Sequence, residues 1–259
     1  MEIVIRDGTD SVHRTVADIV ERRVRQGPAV LGLATGSTPL GTYRELGRRC
    51  RDHALSFASS RAFLLDEYVG LPASHPQSYR SVIRSEFLAE VDMDPRAIDG
   101  PDGDAADIAV ETARYDAAIR DAGGVDVQLL GIGTDGHIGF NEPGSSLASR
   151  TRVKTLTEQT RQDNARFFSS ASEVPHHVMT QGLGTIVEAR HLVLIAMGES
   201  KAEALAAAVE GPLTAFCPAS VLQMHAHVTV VVDDAAASAL RLGDYYRYAL
   251  AEKPPWQHF

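Results

Sequence analysis

Short apolar runs alternate along this chain with longer stretches in which apolar residues recur every three or four positions. The runs at residues 3–5, 29–33, 62–65, 125–130, 191–197 and 228–232 are rich in aliphatic side chains and predict buried strands. The stretches 10–25, 39–50, 79–90, 108–121 and 200–209, with a last one after residue 234, carry helical spacing. Asp10, Ser200 and Asp234 stand near helix starts as candidate caps. Strand followed by helix, repeated, is the rhythm of a parallel sheet covered by its own crossovers, so one α/β domain over residues 1–259 is expected. No internal repeat or low-complexity linker divides it.

Residues 145–184 break the rhythm. They are polar, rich in Thr, Arg and Ser, and show no clear buried strand. Two readings stay open: a lid over an active site, or an ordinary solvated excursion. The tail, residues 253–259, cannot continue a helix past its paired prolines and is expected to be loose or to dock on a partner subunit.

Composition narrows the function. The chain has 259 residues, 44% of them hydrophobic, enough for a generous core. Its formal charge of −9 offers no basic face for nucleic acid. An anionic ligand would have to be held by a few local cations and backbone N–H groups against that field. Cys50 and Cys217 lie far apart without CxxC spacing, so neither a disulfide framework nor a thiolate metal site is suggested. The first residues do not resemble a signal peptide, and no run reaches membrane-spanning length; a soluble, cytoplasmic protein is expected.

Three loops carry candidate chemistry. GIGTDGHIGFNEPG at residues 131–144 follows an apolar strand and places Asp135, His137 and Glu142 on one glycine-rich turn. Two carboxylates this near a histidine can orient its ring and tune its proton affinity. LATGSTP at residues 33–39 leads from a strand into a helix: Gly36 lets backbone N–H groups approach an oxyanion, and Thr35, Ser37 and Thr38 add hydroxyls. It lacks the lysine of a Walker loop and the three-glycine spacing of a dinucleotide loop. At residues 64–70, Asp66 and Glu67 end the third strand, and the alternation of a strand lets only one of them face the strand-end crevice.

Together, ATGSTP (34–39), LDEYVGL (65–71) and GIGTDGHIGFNEP (131–143) resemble the glucosamine-6-phosphate deaminases of the glucosamine/galactosamine-6-phosphate isomerase family. The likeness continues through SSLASRTR (145–152), ARFF (165–168), SK (200–201) and AAVEG (207–211), so it spans nearly the whole chain. It implies a modified Rossmann-like three-layer sandwich with a mostly parallel sheet and a lid. It also implies conversion of glucosamine 6-phosphate to fructose 6-phosphate and ammonia, without metal or other cofactor. His137, held by Asp135 and Glu142, would open the sugar ring; Asp66 would move the proton from C2 to C1. The resemblance carries substrate phosphate binding to Gly36, Ser37, Thr38, Arg166 and Lys201. Some bacterial relatives are hexamers activated by N-acetylglucosamine 6-phosphate, and Ser145, Arg152, Lys154 and Thr155 match that activator site. A tyrosine that completes it in the family aligns without gaps on Arg247, between Tyr246 and Tyr248.

Two other readings compete. The 6-phosphogluconolactonases share the fold and a GxGxDGH-type loop, but here that loop continues as FNEP instead of a SLFP-type run, and the acidic pair continues as YVGL. A sugar-phosphate sensor would normally add a DNA-binding module or lose a catalytic acid, and this chain does neither.

Overall fold

The computed structural model describes residues 1–254 and 256–259. In chain order the elements are β1 (Glu2–Arg6), α1 (Thr9–Arg25), β2 (Val30–Leu33), α2 (Leu40–His53), β3 (Arg61–Leu64), β4 (Asp66–Tyr68) and α3 (Tyr79–Ile83). There follow β5 (Ile98–Asp99), α4 (Ile108–Asp121), β6 (Val127–Leu130), β7 (Arg152–Thr155), α5 (Glu158–Asn164) and β8 (His177–Thr180). The chain closes with α6 (Leu183–Ile186), β9 (His191–Ala196), α7 (Ala202–Glu210), β10 (Val228–Asp233) and α8 (Gly243–Ala251).

Seven strands form one parallel sheet in the order β1-β10-β9-β6-β2-β3-β5. Every residue of β9 and β10 is buried, as expected of strands covered on both faces. After β2 the chain steps outward to β3 and β5; after β6 it steps the other way to β9 and β10. The loops leaving β2 and β6 therefore diverge from adjacent strands, and a crevice opens between them at the carboxyl edge. The two most chemically suggestive loops of the sequence, 34–39 and 131–144, are the ones that border it.

A three-stranded antiparallel sheet, β4-β8-β7, stands beside this edge. The segment 145–184 supplies two of its strands, and Val178, Met179 and Thr180 of β8 are buried, contrary to the expectation of no buried strand there. Its polar composition hid β8 because the buried part of that strand is only three residues long, one of them the threonine that pairs with Asp66. The chain passes between sheets within one residue: Leu64 ends β3 and Asp66 opens β4. The buried Tyr115 hydroxyl and the Gln181 amide both donate to the Leu64 carbonyl at this break, so the transition leaves no orphan acceptor.

The helix starts differ from expectation in detail. Asp10 lies inside the first turn of α1, whose flanking Gly8 gives no side-chain cap. Ser200 falls within a short 3-10 turn before α7. Asp233, not Asp234, accepts the N–H of Ala236, while Asp234 pairs with Arg247. The tail folds back on its own chain: Lys253 bonds Glu2 at 2.7 Å and lies 3.7 Å from the Phe259 ring centre, and Phe259 packs against the core. Pro255, part of that tail, lies outside the described residues.

Candidate active site

A cavity of about 410 Å³ occupies the crevice, of the size that small ligands fill. Residues from the loop after β2, from β4, from the loop after β6, from the α5 segment and from the start of α7 all line it. The expected Gly36, Ser37, Thr38, Asp66, His137, Arg166 and Lys201 are among them.

At one end the loop after β2 runs into α2, which begins at Leu40 with Pro39 at its cap. Gly36 adopts φ +87°, a left-handed conformation open to glycine, within a loop whose residues 34–38 line the cavity. Arg166 and Lys201 approach the same cavity, and neither makes an ion pair among the described residues; Arg166 lies over the Phe167 ring at 4.8 Å. Burial lowers the Lys201 pKa, with Asp163 and Asp135 acting in the opposite sense and Arg166 in the same one. Two cations facing one cavity without carboxylate partners are arranged for an anionic ligand.

Asp66 also lines the cavity. Its residue is 4% exposed, and burial together with the nearby charge of Glu67 raises its pKa well above the usual carboxylate range. Glu67 points the other way, where its carboxylate accepts the N–H groups of Tyr68, Tyr79 and Arg80 at 2.9, 2.9 and 3.0 Å. The alternation expected of a strand thus separates the two acids. Asp66 faces the cavity; Glu67 caps α3.

His137 lies between two carboxylates. Its Nδ1 is 2.7 Å from Asp135 Oδ1 and 3.7 Å from Glu142 Oε2. The short approach to Asp135 is poorly aligned, so Nδ1 and Glu142 Oε2 are both buried without a hydrogen-bond partner. The ring rests on Gly133, where a Cβ would stand 2.3 Å from the imidazole Cε1. Burial opposes the Asp135 charge, but the close approach and charge of the His137 ring, with the His137 backbone N–H donating at 3.1 Å, prevail and hold its pKa below the usual value. Burial raises the Glu142 pKa despite the opposing Thr160 hydrogen bond. The donor atoms of Asp135, His137 and Glu142 lie within 4.8 Å of one another, a spacing that one metal ion could span. The same spacing orients an imidazole between carboxylates, which is how we read it.

Sequence reasoning missed part of the wall. Tyr68, Tyr79, Phe140 and Phe168 line one side, with Tyr79 and Phe140 stacked at 6.1 Å and 5°. Tyr68, Phe140 and Phe168 lie within the quoted motifs and Tyr79 does not, but nothing in the sequence brings the four together. Thr160, Asp163 and Asn164 were also missed; they reach the cavity from α5, within the segment that had no assigned helix.

The four activator-site candidates are more dispersed. Ser145 is buried, with its hydroxyl donating to the Glu142 carbonyl at 2.7 Å. Arg152 donates through Nη1 to Asn141 Oδ1 at 2.8 Å, while its Nη2 is buried without a partner. Lys154 and Thr155 lie farther along β7, opposite Val178 and His177.

A family model described as glucosamine-6-phosphate isomerases/6-phosphogluconolactonase matches residues 5–231. The chain belongs to this family. Within it, the chain is 72% identical over 259 residues, all of both chains, to a glucosamine-6-phosphate deaminase of Rhodococcus opacus (strain B4). It is 60% identical to one of Streptomyces coelicolor (strain ATCC BAA-471 / A3(2) / M145), with 99% of each covered. A solved structure described as a monomeric glucosamine-6-phosphate deaminase superposes with a TM-score of 0.91 at 42% identity, covering 92% of this chain and 100% of that one. The 6-phosphogluconolactonase of Trypanosoma cruzi, at TM-score 0.74 and 21% identity over 93% and 97%, shares the fold. No helix among the described residues is long and apolar enough to cross a membrane.

Proposed function

We propose that this enzyme converts glucosamine 6-phosphate and water to fructose 6-phosphate and ammonia. One observation carries the reading: among the described residues, a single cavity holds a buried carboxylate with no protein donor on it, a histidine beside two carboxylates, and two cations without an ion-pair partner beside a glycine loop.

The substrate's phosphate would lie at the loop after β2, held by its amides, by Ser37 and Thr38, and by Arg166 and Lys201. His137 would take the proton of the O1 hydroxyl and pass it to the ring oxygen, opening the sugar to its aldehyde. Only then is the C2 proton acidic. Asp66 would remove it, giving an enolamine, and return it to C1, giving the imine of the ketose. Water adds at C2, ammonia leaves, and fructose 6-phosphate remains. The pressure on Asp66 to be neutral makes it a stronger base when ionised, which suits abstraction from carbon. No cofactor takes part.

A lactonase would need a base for water but no carbon base, so the isolated Asp66 favours the deaminase reading. With glucosamine 6-phosphate, ammonia and fructose 6-phosphate are expected in equal amounts, undiminished by EDTA. Hydrolysis of 6-phosphogluconolactone without ammonia release would overturn the assignment.

The residues 145–184 are proposed to act as a lid, because they bring Thr160, Asp163, Asn164 and Arg166 over the cavity. Activation by N-acetylglucosamine 6-phosphate and assembly into a hexamer are separate proposals. They rest on the match at Ser145, Arg152, Lys154 and Thr155, and on the open Arg152 Nη2. Kinetics with and without the acetylated sugar, and light scattering, test them. A cytoplasmic site of action fits the free thiols of Cys50 and Cys217.

A further inference from the structure

Glu142 is joined to the lid segment by a directed chain of hydroxyls. Thr157 caps α5 by accepting the Thr160 N–H at 3.1 Å. Its hydroxyl donates to Thr160 Oγ1 at 2.9 Å, and Thr160 in turn donates to Glu142 Oε1 at 2.7 Å. Thr160 is 5% exposed and Glu142 3% exposed, so water does not readily replace either partner. The helix does not need the Thr160 hydroxyl for its own cap, which Thr157 already supplies. That hydroxyl instead makes the shortest contact to one oxygen of a carboxylate whose other oxygen faces His137 Nδ1; the Thr157 N–H and hydroxyl reach the same Oε1 only at 3.4 and 3.5 Å.

We propose that Thr160 is a positioning residue: it holds Glu142 so that Oε2 braces the His137 imidazole, and it makes that brace depend on how α5 is seated over the cavity. Helix α5 carries Asp163 and Asn164, and Arg166 follows within one turn, all lining the cavity with Thr160. A phosphate drawn to Arg166 pulls on the same short helix that grips Glu142. Substrate binding at one end of the cavity is thereby felt at the histidine at the other. The retained carboxylate hydrogen bond also favours the ionised form of Glu142, the form able to accept from Nδ1.

The kinetic part of this inference rests on the deaminase reading; the spectroscopic part does not. Thr160→Val preserves shape and removes the hydroxyl, whereas Thr160→Ser keeps it. We expect Thr160→Val to lower kcat about 10-fold or more with KM changed less than about threefold, and Thr160→Ser to recover most of the loss. In the free protein, the ¹⁵N shift of His137 Nδ1 should move in the valine variant and return in the serine variant. Equal losses in both variants would assign the effect to packing and overturn the proposal. So would an unchanged Nδ1 shift with kcat within about twofold of wild type. If wild type releases no ammonia from glucosamine 6-phosphate but the shift still moves in Thr160→Val and returns in Thr160→Ser, the substrate assignment fails and the positioning role stands.

Discussion

Replacing Asp66 with Asn removes one proton acceptor and almost nothing else. The carboxamide is nearly isosteric, no donor among the described residues holds the carboxylate, and so no partner is left unsatisfied. Glu67 cannot take over, because three backbone N–H groups already occupy its oxygens and it faces α3. General base catalysis contributes about 10²- to 10⁴-fold, and with Glu67 engaged elsewhere and His137 assigned to the ring oxygen the loss is expected at about 10³-fold or more in kcat. That corresponds to about 4 kcal/mol of transition-state stabilisation. The assay is ammonia release coupled to a dehydrogenase, beside calorimetric binding of a phosphorylated sugar alcohol, whose affinity should stay within about threefold. Folding gives an independent check. A carboxyl whose folded pKa is raised supports stability below its unfolded pKa and loses that support as pH rises through the folded value. At neutral pH the wild-type charge is therefore a liability, and Asp66→Asn should melt at a higher temperature. Retention of more than a tenth of wild-type kcat, in a variant that still binds the sugar alcohol, would refute the role of Asp66 as carbon base.

The other expectations concern separate parts of the molecule. The acid limb of kcat/KM should lie above the ordinary carboxylate range, because Asp66 must be ionised and burial with Glu67 raises its pKa; a limb near pH 4 would contradict this. Arg166→Ala and Lys201→Ala should each raise KM about 10-fold or more with a smaller change in kcat, since both act on the phosphate; steady-state kinetics would show a fall confined to kcat if they do not. Far from the cavity, Asp126 accepts Arg23, Arg190 and the Val30 N–H at 2.8, 2.9 and 2.7 Å, at the start of β2. Asp126→Ala leaves that half-buried N–H and two arginines without their acceptor and should cost about 2 kcal/mol, lowering the melting temperature by about 4–8 °C while kcat holds; an unchanged melting curve would contradict the estimate.

Much of the parallel sheet was legible because its strands are short, apolar and punctuated by caps and glycines. The crevice loops were legible for the same reason: each follows an apolar run and carries residue types that turns alone do not require. The second sheet was not. Strand β7 alternates half-buried Arg152 and Lys154 with exposed Val153 and Thr155, a pattern without an apolar face. Strand β8 is buried through partners that are distant in sequence, Asp66–Tyr68 among them. Alternation placed one of Asp66 and Glu67 at the crevice and resemblance chose Asp66, but the isolation that makes it a base comes from three dimensions. Thr160 gave no local signal, for its partner Glu142 lies 18 residues away. Arg166 and Lys201 were found only through resemblance, since a lone cation in a polar stretch is ordinarily a solvated one.

The central claim is that one carboxylate moves a proton from C2 to C1 before ammonia departs. Turnover of glucosamine 6-phosphate in D₂O, followed by proton and carbon NMR, tests this most directly. The account predicts fructose 6-phosphate and ammonia in equal amounts, with deuterium at C1 to the extent that the Asp66 proton exchanges with solvent. It also predicts direct transfer of label from substrate deuterated at C2 for the remainder. A product with ammonia released but with neither solvent deuterium nor C2 label at C1 would contradict it.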